Sequence, residues 1–256
     1  MPSSTELSIL LPALMAGILV LATHVPLGRL VLDRGIVFID LALAQVAGLG
    51  VVVADLLGWE PNGLSVQASA ATAALLAAAF LVWTERRMPR LQEAVIGVVF
   101  VVAASAEIVL LGFNPHGAEH LKDLLVGQIV WVTPAQLAAT TLVDMVVLGL
   151  ALRFPLARHR ALFYVLFALA ITASVQLVGV FLVFASLILP ALAAGGTRRP
   201  LAVGYGMGLF GYILGLGLSL EADLPTGAAI VCALALVTAA AGTARGLARK
   251  HHGEIG

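Results

Sequence analysis

Long apolar stretches broken by short polar ones run from one end of the chain to the other. A helix needs about 20 mostly apolar residues to cross a bilayer core of roughly 30 Å. Stretches of that kind fall at nine places, about residues 7–27, 36–58, 64–84, 94–113, 135–152, 161–178, 179–195, 201–220 and 226–247. The sixth and seventh abut at Gly179. No series of ten-residue alternating segments occurs, so a β-barrel is excluded. The pattern predicts an all-α polytopic bundle of about nine transmembrane helices, a single membrane domain over residues 1–256.

Composition agrees with the pattern and removes other classes. The chain is 61% hydrophobic and only 11% charged, with a mean hydropathy of +1.07. Soluble domains are roughly 45–50% apolar and about 25% charged. A water-soluble globule, a disordered chain and a nucleic-acid binder are therefore ruled out. The single cysteine, Cys232, excludes an internal disulfide and a cysteine metal cluster.

Fourteen basic and fourteen acidic residues cancel, so the information lies in where they fall. Arg29 and Arg34 follow the first span; Arg86, Arg87 and Arg90 the third; Arg153, Arg158 and Arg160 the fifth. Arg198 and Arg199 follow the seventh, and Arg245, Arg249 and Lys250 the ninth. The loops between hold one basic residue, Lys122, and the acidic stretches Asp55 to Glu60 and Glu221 to Asp223. Basic loops stay on the cytoplasmic side. The expected arrangement has a periplasmic N-terminus, a cytoplasmic C-terminus and an odd number of spans. The opening Met-Pro-Ser-Ser-Thr-Glu carries no basic stretch, so the first span does not read as a cleavable signal.

Ionisable groups inside a span are costly and normally face the bundle interior or water. Asp40, Glu107 and Asp144 are of this kind, and with Gln45 they are candidates for lining a translocation pathway. His24, near the expected cytoplasmic end of the first span, reads as interfacial. The densest polar cluster follows the fourth span. Asn114-Pro115 can start a short helix on which His116, Glu119, His120 and Asp123 fall at i, i+3, i+4 and i+7. That spacing lines four side chains along one stripe. Imidazole and carboxylate are the ligand set of zinc, manganese or iron; a solvated face of an interfacial helix has the same spacing. The stretch also fits H-x-x-E-H, in which two histidines hold zinc and a glutamate activates water, so a membrane metallopeptidase is one reading.

Three segments, in order along the chain, resemble the ABC-transporter permeases that import zinc, manganese or iron. They are Pro26-Leu27-Gly28 with Phe38 to Gly50, Leu124 to Pro134, and Val178-Gly179 through Pro190-Ala191; Pro225-Thr226-Gly227 also fits. The resemblance implies the membrane subunit of an ABC importer in a bacterial inner membrane. It further implies a homodimer of permeases, cytoplasmic ATPase subunits and a periplasmic metal-binding protein. The transported ion would be zinc or manganese, with no permanently bound cofactor and no enzymatic activity in the chain itself. The family's aspartate and histidine in the second span, four residues apart, are not reproduced: relative to Gly50 their positions hold Leu41 and Gln45, and Asp40 is displaced by one residue. The family's helix between spans five and six is replaced by the short run Arg153 to Arg160. Arg153, Arg158 and Arg160, with Arg198 and Arg199, are then the expected ATPase contacts. The chain has no G-x-x-x-x-G-K-[ST] loop, so ATP hydrolysis would come from a partner. A secondary metal carrier without an ATPase is the alternative.

Overall fold

The computed structural model describes residues 4–59, 63–112, 125 and 129–253. Among them lie nine long helices: α1 (Ser4–Arg34), α2 (Ile39–Leu56), α3 (Leu64–Arg87), α4 (Gln92–Leu111), α5 (Pro134–Arg153), α6 (Arg160–Val178), α7 (Val180–Ala194), α8 (Pro200–Ala222) and α9 (Thr226–Gly253). The described residues contain no strand. Eight of the helices are long and apolar enough to cross a membrane. The exception is α7, whose 15 residues rise only about 22 Å at about 1.5 Å per residue. It is buried along nearly all of its length, so it spans protein rather than lipid.

The boundary at Gly179 is real. Gly179 closes α6 and opens α7 with φ 82° and ψ 163°, a conformation open in practice only to glycine. The first helix departs from expectation at its end: α1 does not stop near residue 27 but continues through Pro26 to Arg34. A proline inside a helix leaves the carbonyl four residues earlier without its donor. Here that carbonyl belongs to Ala22, and the Tyr205 hydroxyl of α8 donates to it at 2.9 Å. A tertiary contact thus replaces the lost backbone bond.

Helices α1, α2, α6 and α7 form the interior, while α4 and α5 turn most of their surface outward. Helix α1 packs on α7 and α8, α2 on α3 and α4, α3 on α6, and α9 on α7 and α8. Close approach comes from small residues, as expected where no hydrophobic force drives helices together. In α8, Gly204 and Gly208 lie against Val25 and Leu21 of α1, while Gly211 and Gly215 lie against Leu234 and Ile230 of α9. One glycine stripe therefore seats two neighbours. Gly206 and Gly217 of the same helix face open space. Gly215→Leu, whose new carbon would sit on the Ile230 backbone, should sharply reduce the yield of monodisperse protein in fluorescence-detected size exclusion. Gly217→Leu should leave it unchanged.

Candidate functional site

The polar groups expected within the membrane lie inside the bundle, at three separate places. The first is the start of α2. Asp40 occupies the first turn, is 1% exposed, and both its carboxylate oxygens lack hydrogen-bond partners among the described residues. The positive end of a helix dipole favours a carboxylate there. Close by, the Phe38 N–H donates to Glu93 Oε1 of α4 at 3.3 Å, and the Phe38 ring stacks on Phe184 of α7 at 6.4 Å. The turn between α1 and α2 is thus pinned from two sides.

The second place is the α2–α4 contact. Gln45 is buried in α2. One turn on, Gly48 presents bare backbone to the Glu107 carboxylate of α4, which occupies the space that a Cβ at Gly48 would fill. Glu107 is 1% exposed, and its Oε1 has no hydrogen-bond partner among the described residues. Its helix buries Ile96, Ala103, Glu107 and Leu111 along one side, so the acid points where the core requires apolar groups. Gly48→Val should expel the carboxylate from this position. If Glu107 serves transport, uptake falls severalfold in this variant, whereas Gly97→Val, in open space on α4, leaves it unchanged.

The third place lies about two-thirds of the way along α1 and halfway along α5. Thr140, Asp144 and Val147 are the buried residues of α5, and their i, i+4, i+7 spacing makes them one stripe. The Asp144 carboxylate faces the Thr23 hydroxyl of α1 without meeting hydrogen-bond geometry. Thr23 donates to the Val20 carbonyl at 3.4 Å and lies 3.1 Å from His24 Nδ1. His24 is completely buried, and Nε2 has no hydrogen-bond partner among the described residues. The expectation of an interfacial His24 is therefore corrected: because α1 extends to Arg34, the residue sits mid-helix. No contact joins Asp40, Glu107 and Asp144 to one another among the described residues, nor does any group of three or more metal-ligating side chains occur there. The stripe His116, Glu119, His120 and Asp123 lies outside the described residues.

The arginines expected at the ATPase contact are all exposed. Arg153 ends α5, Arg158 stands in the connecting turn, and Arg160 begins α6. Arg198 and Arg199 precede α8, in a turn that Arg245 of α9 holds through a 2.7 Å bond to the Gly195 carbonyl. Sequence reasoning read Arg34 only as a charge that orients the bundle, not as a tertiary contact. Its Nη2 donates to the Leu156 carbonyl at 2.8 Å, and its guanidinium lies 4.2 Å from the Phe163 ring centroid. That side chain ties the end of α1 to the α5–α6 turn. Also missed was a buried chain in which Thr84 donates to Gln92 Oε1 at 3.0 Å and Gln92 Nε2 to the Tyr164 hydroxyl at 3.2 Å. These residues come from α3, α4 and α6, and no spacing along the sequence pairs them.

The fold is similar to solved structures. One is PsaBC from Streptococcus pneumoniae in complex with a Fab, with a TM-score of 0.73 and 22% identity over 91% of this chain and 90% of that one. Another is a metal-chelate type ABC transporter in an inward-facing conformation, with a TM-score of 0.68 and 15% identity over 91% of this chain and 85% of that one. The sequence model of the ABC 3 transport family matches residues 6–157 and 151–243, nearly the whole chain. With its multi-pass helical bundle and buried polar groups, the chain belongs to the ABC 3 transport family.

Proposed function

We propose that this chain is the membrane-spanning permease subunit of an ABC importer for a divalent metal ion, zinc or manganese, in a bacterial inner membrane. The observation that carries the reading is the family match over almost the entire length. The similarity of its fold to a metal-chelate type ABC transporter supports a metal as cargo. In this reading a periplasmic binding protein delivers the ion to the His116, Glu119, His120 and Asp123 stripe. The ion then passes Glu107, Gln45, Asp144 and Asp40 inside a homodimer. Carboxylate and amide groups held at membrane depth can replace part of an ion's water shell while binding it weakly enough to release it. Two ATPase subunits bind the basic end through Arg153, Arg158, Arg160, Arg198 and Arg199 and supply the hydrolysis that a chain without a phosphate-binding loop cannot.

A secondary carrier is the second reading, favoured by one feature: only residues 154–159 separate α5 from α6, and they contain no helix on which an ATPase could seat. Transport assays in vesicles containing the full chain and its co-purifying subunits separate the two. Uptake of zinc or manganese should require ATP and fall severalfold when His116 and His120 are both changed to alanine. Uptake that survives ATP depletion but stops when the proton gradient is collapsed would establish the carrier instead.

A further inference from the structure

The α5–α6 turn, residues 154–159, is held to the bundle by the last side chain of α1. Arg34 Nη2 donates to the Leu156 carbonyl at 2.8 Å and, more weakly, to the Ala157 carbonyl at 3.4 Å. Both acceptors are main-chain groups, so the guanidinium grips the backbone of the turn and follows it. Leu156 is itself buried, so the shorter bond meets little competition from water. The guanidinium also rests 4.2 Å from the centroid of the Phe163 ring, which is completely buried; a planar cation suits such a face. Other hydrogen bonds of the turn are local, with the Arg158 and His159 N–H groups both donating to the Pro155 carbonyl. Glu85 of α3 pairs with Arg160 at 3.7 Å, but the arginine is 55% exposed, and an exposed ion pair holds little.

Arg34 also stands at a junction. Helix α1 ends on it, and Gly35 follows with φ 68° and open space around it, a backbone state that favours glycine. A few residues on comes Asp40, buried in the first turn of α2 without a hydrogen-bond partner among the described residues. Between the two, Phe38 is fastened to α4 through Glu93 and to α7 through Phe184. A shift of the α5–α6 turn therefore acts on Arg34, and with Phe38 held, residues 35–40 take up the displacement. Arg158 lies in that turn and Arg160 directly after it, and both are proposed above to meet the ATPase. Coupling between distant sites travels through packed side chains and hydrogen bonds that shift together. We infer that Arg34 is the positioning residue that couples the ATPase subunits to the pathway, carrying movement of the α5–α6 turn into α1 and on to Asp40. It does so in place of the helix that this turn lacks. The inference rests on the importer reading.

The full-length chain with its co-purifying ATPase subunits is reconstituted in vesicles, and uptake of zinc or manganese and ATP hydrolysis are measured on one preparation. In Arg34→Gln the ions taken up per ATP should fall by about fivefold or more, the low end of coupling between sites, while hydrolysis stays within about twofold of the parent. Arg34→Met, which keeps contact with the Phe163 ring and loses the donors, should do the same. Arg34→Lys, which keeps a charged donor, should recover most of the parental ratio. An unchanged ratio in the glutamine and methionine variants would overturn the inference. So would hydrolysis and uptake that fall in parallel in both, with a lowered melting temperature, the mark of a contact that only holds the fold. A parent whose uptake needs no ATP would overturn the importer reading and the inference with it, and that result is visible before any variant is made.

Discussion

Gly28→Val will sharply lower the stability of the bundle. A Cβ at residue 28 would clash with the Leu187 carbonyl oxygen and lie 3.0 Å from the Leu187 carbonyl carbon and 3.3 Å from Ala191 Cβ. The obstacle is the backbone of α7, which cannot turn aside as a side chain can. Overpacking among mobile side chains costs about 1–3 kcal/mol, and a clash with helix backbone lies at or above the top of that range. Every 1.4 kcal/mol is about tenfold in an equilibrium, so the folding equilibrium should fall by about a hundredfold or more and the melting temperature with it. The damage spreads because α1 also carries Leu21 and Val25, which fill the glycine notches of α8. Expression followed by thermal melting in detergent reads the effect directly. Gly97→Val, where nothing lies within 4 Å, should melt like the parent. A normal melting curve for Gly28→Val would mean that α1 and α7 do not meet as described.

Asp144→Asn will separate stability from transport. The side chain is 3% exposed, and neither carboxylate oxygen has a hydrogen-bond partner among the described residues. A charged residue at the centre of a membrane helix costs about 2.5–3.5 kcal/mol on insertion scales. Asparagine keeps the shape and removes the charge, so the variant should melt at the same temperature as the parent or higher. If the carboxylate handles the ion, uptake should fall by about tenfold in the same preparation. Unchanged uptake would leave Asp144 without a transport role, and a lowered melting temperature would make its role structural.

Much of the fold could be read from hydropathy, because a membrane leaves few alternatives. Each of the nine apolar stretches became a helix, most with ends within about two residues of the expected ones. The fit at Gly179 reflects a backbone constraint written in one residue. One local signal lay unread: Thr133-Pro134-Ala135-Gln136 is a capping box, with Gln136 N–H donating to Thr133 Oγ1 at 3.2 Å and Thr133 N–H to Gln136 Oε1 at 2.9 Å. The end of α1 was misjudged because the apolar stretch gives way to Arg29, Asp33 and Arg34, yet the helix runs on through them, and the carbonyl freed by Pro26 is met by Tyr205, 179 positions from the proline. The candidate sites were legible as residue types, since a buried Asp or Glu stands out among Leu and Val. Their grouping was not. Asp144 meets Thr23, and Glu107 meets Gly48, only once packing has chosen which faces touch.

The bond from Tyr205 to the Ala22 carbonyl has a consequence for how the sequence can change. Tyrosine at 205 matters because proline at 26 removed the native donor. Restoring that donor, by exchanging Pro26 for alanine, makes the hydroxyl redundant, whereas losing the hydroxyl first leaves a carbonyl stranded between α1 and α8. The two positions are thus contingent on each other in one direction only. A lineage can discard the proline and afterwards let position 205 drift to phenylalanine, while the reverse order passes through a weakened intermediate.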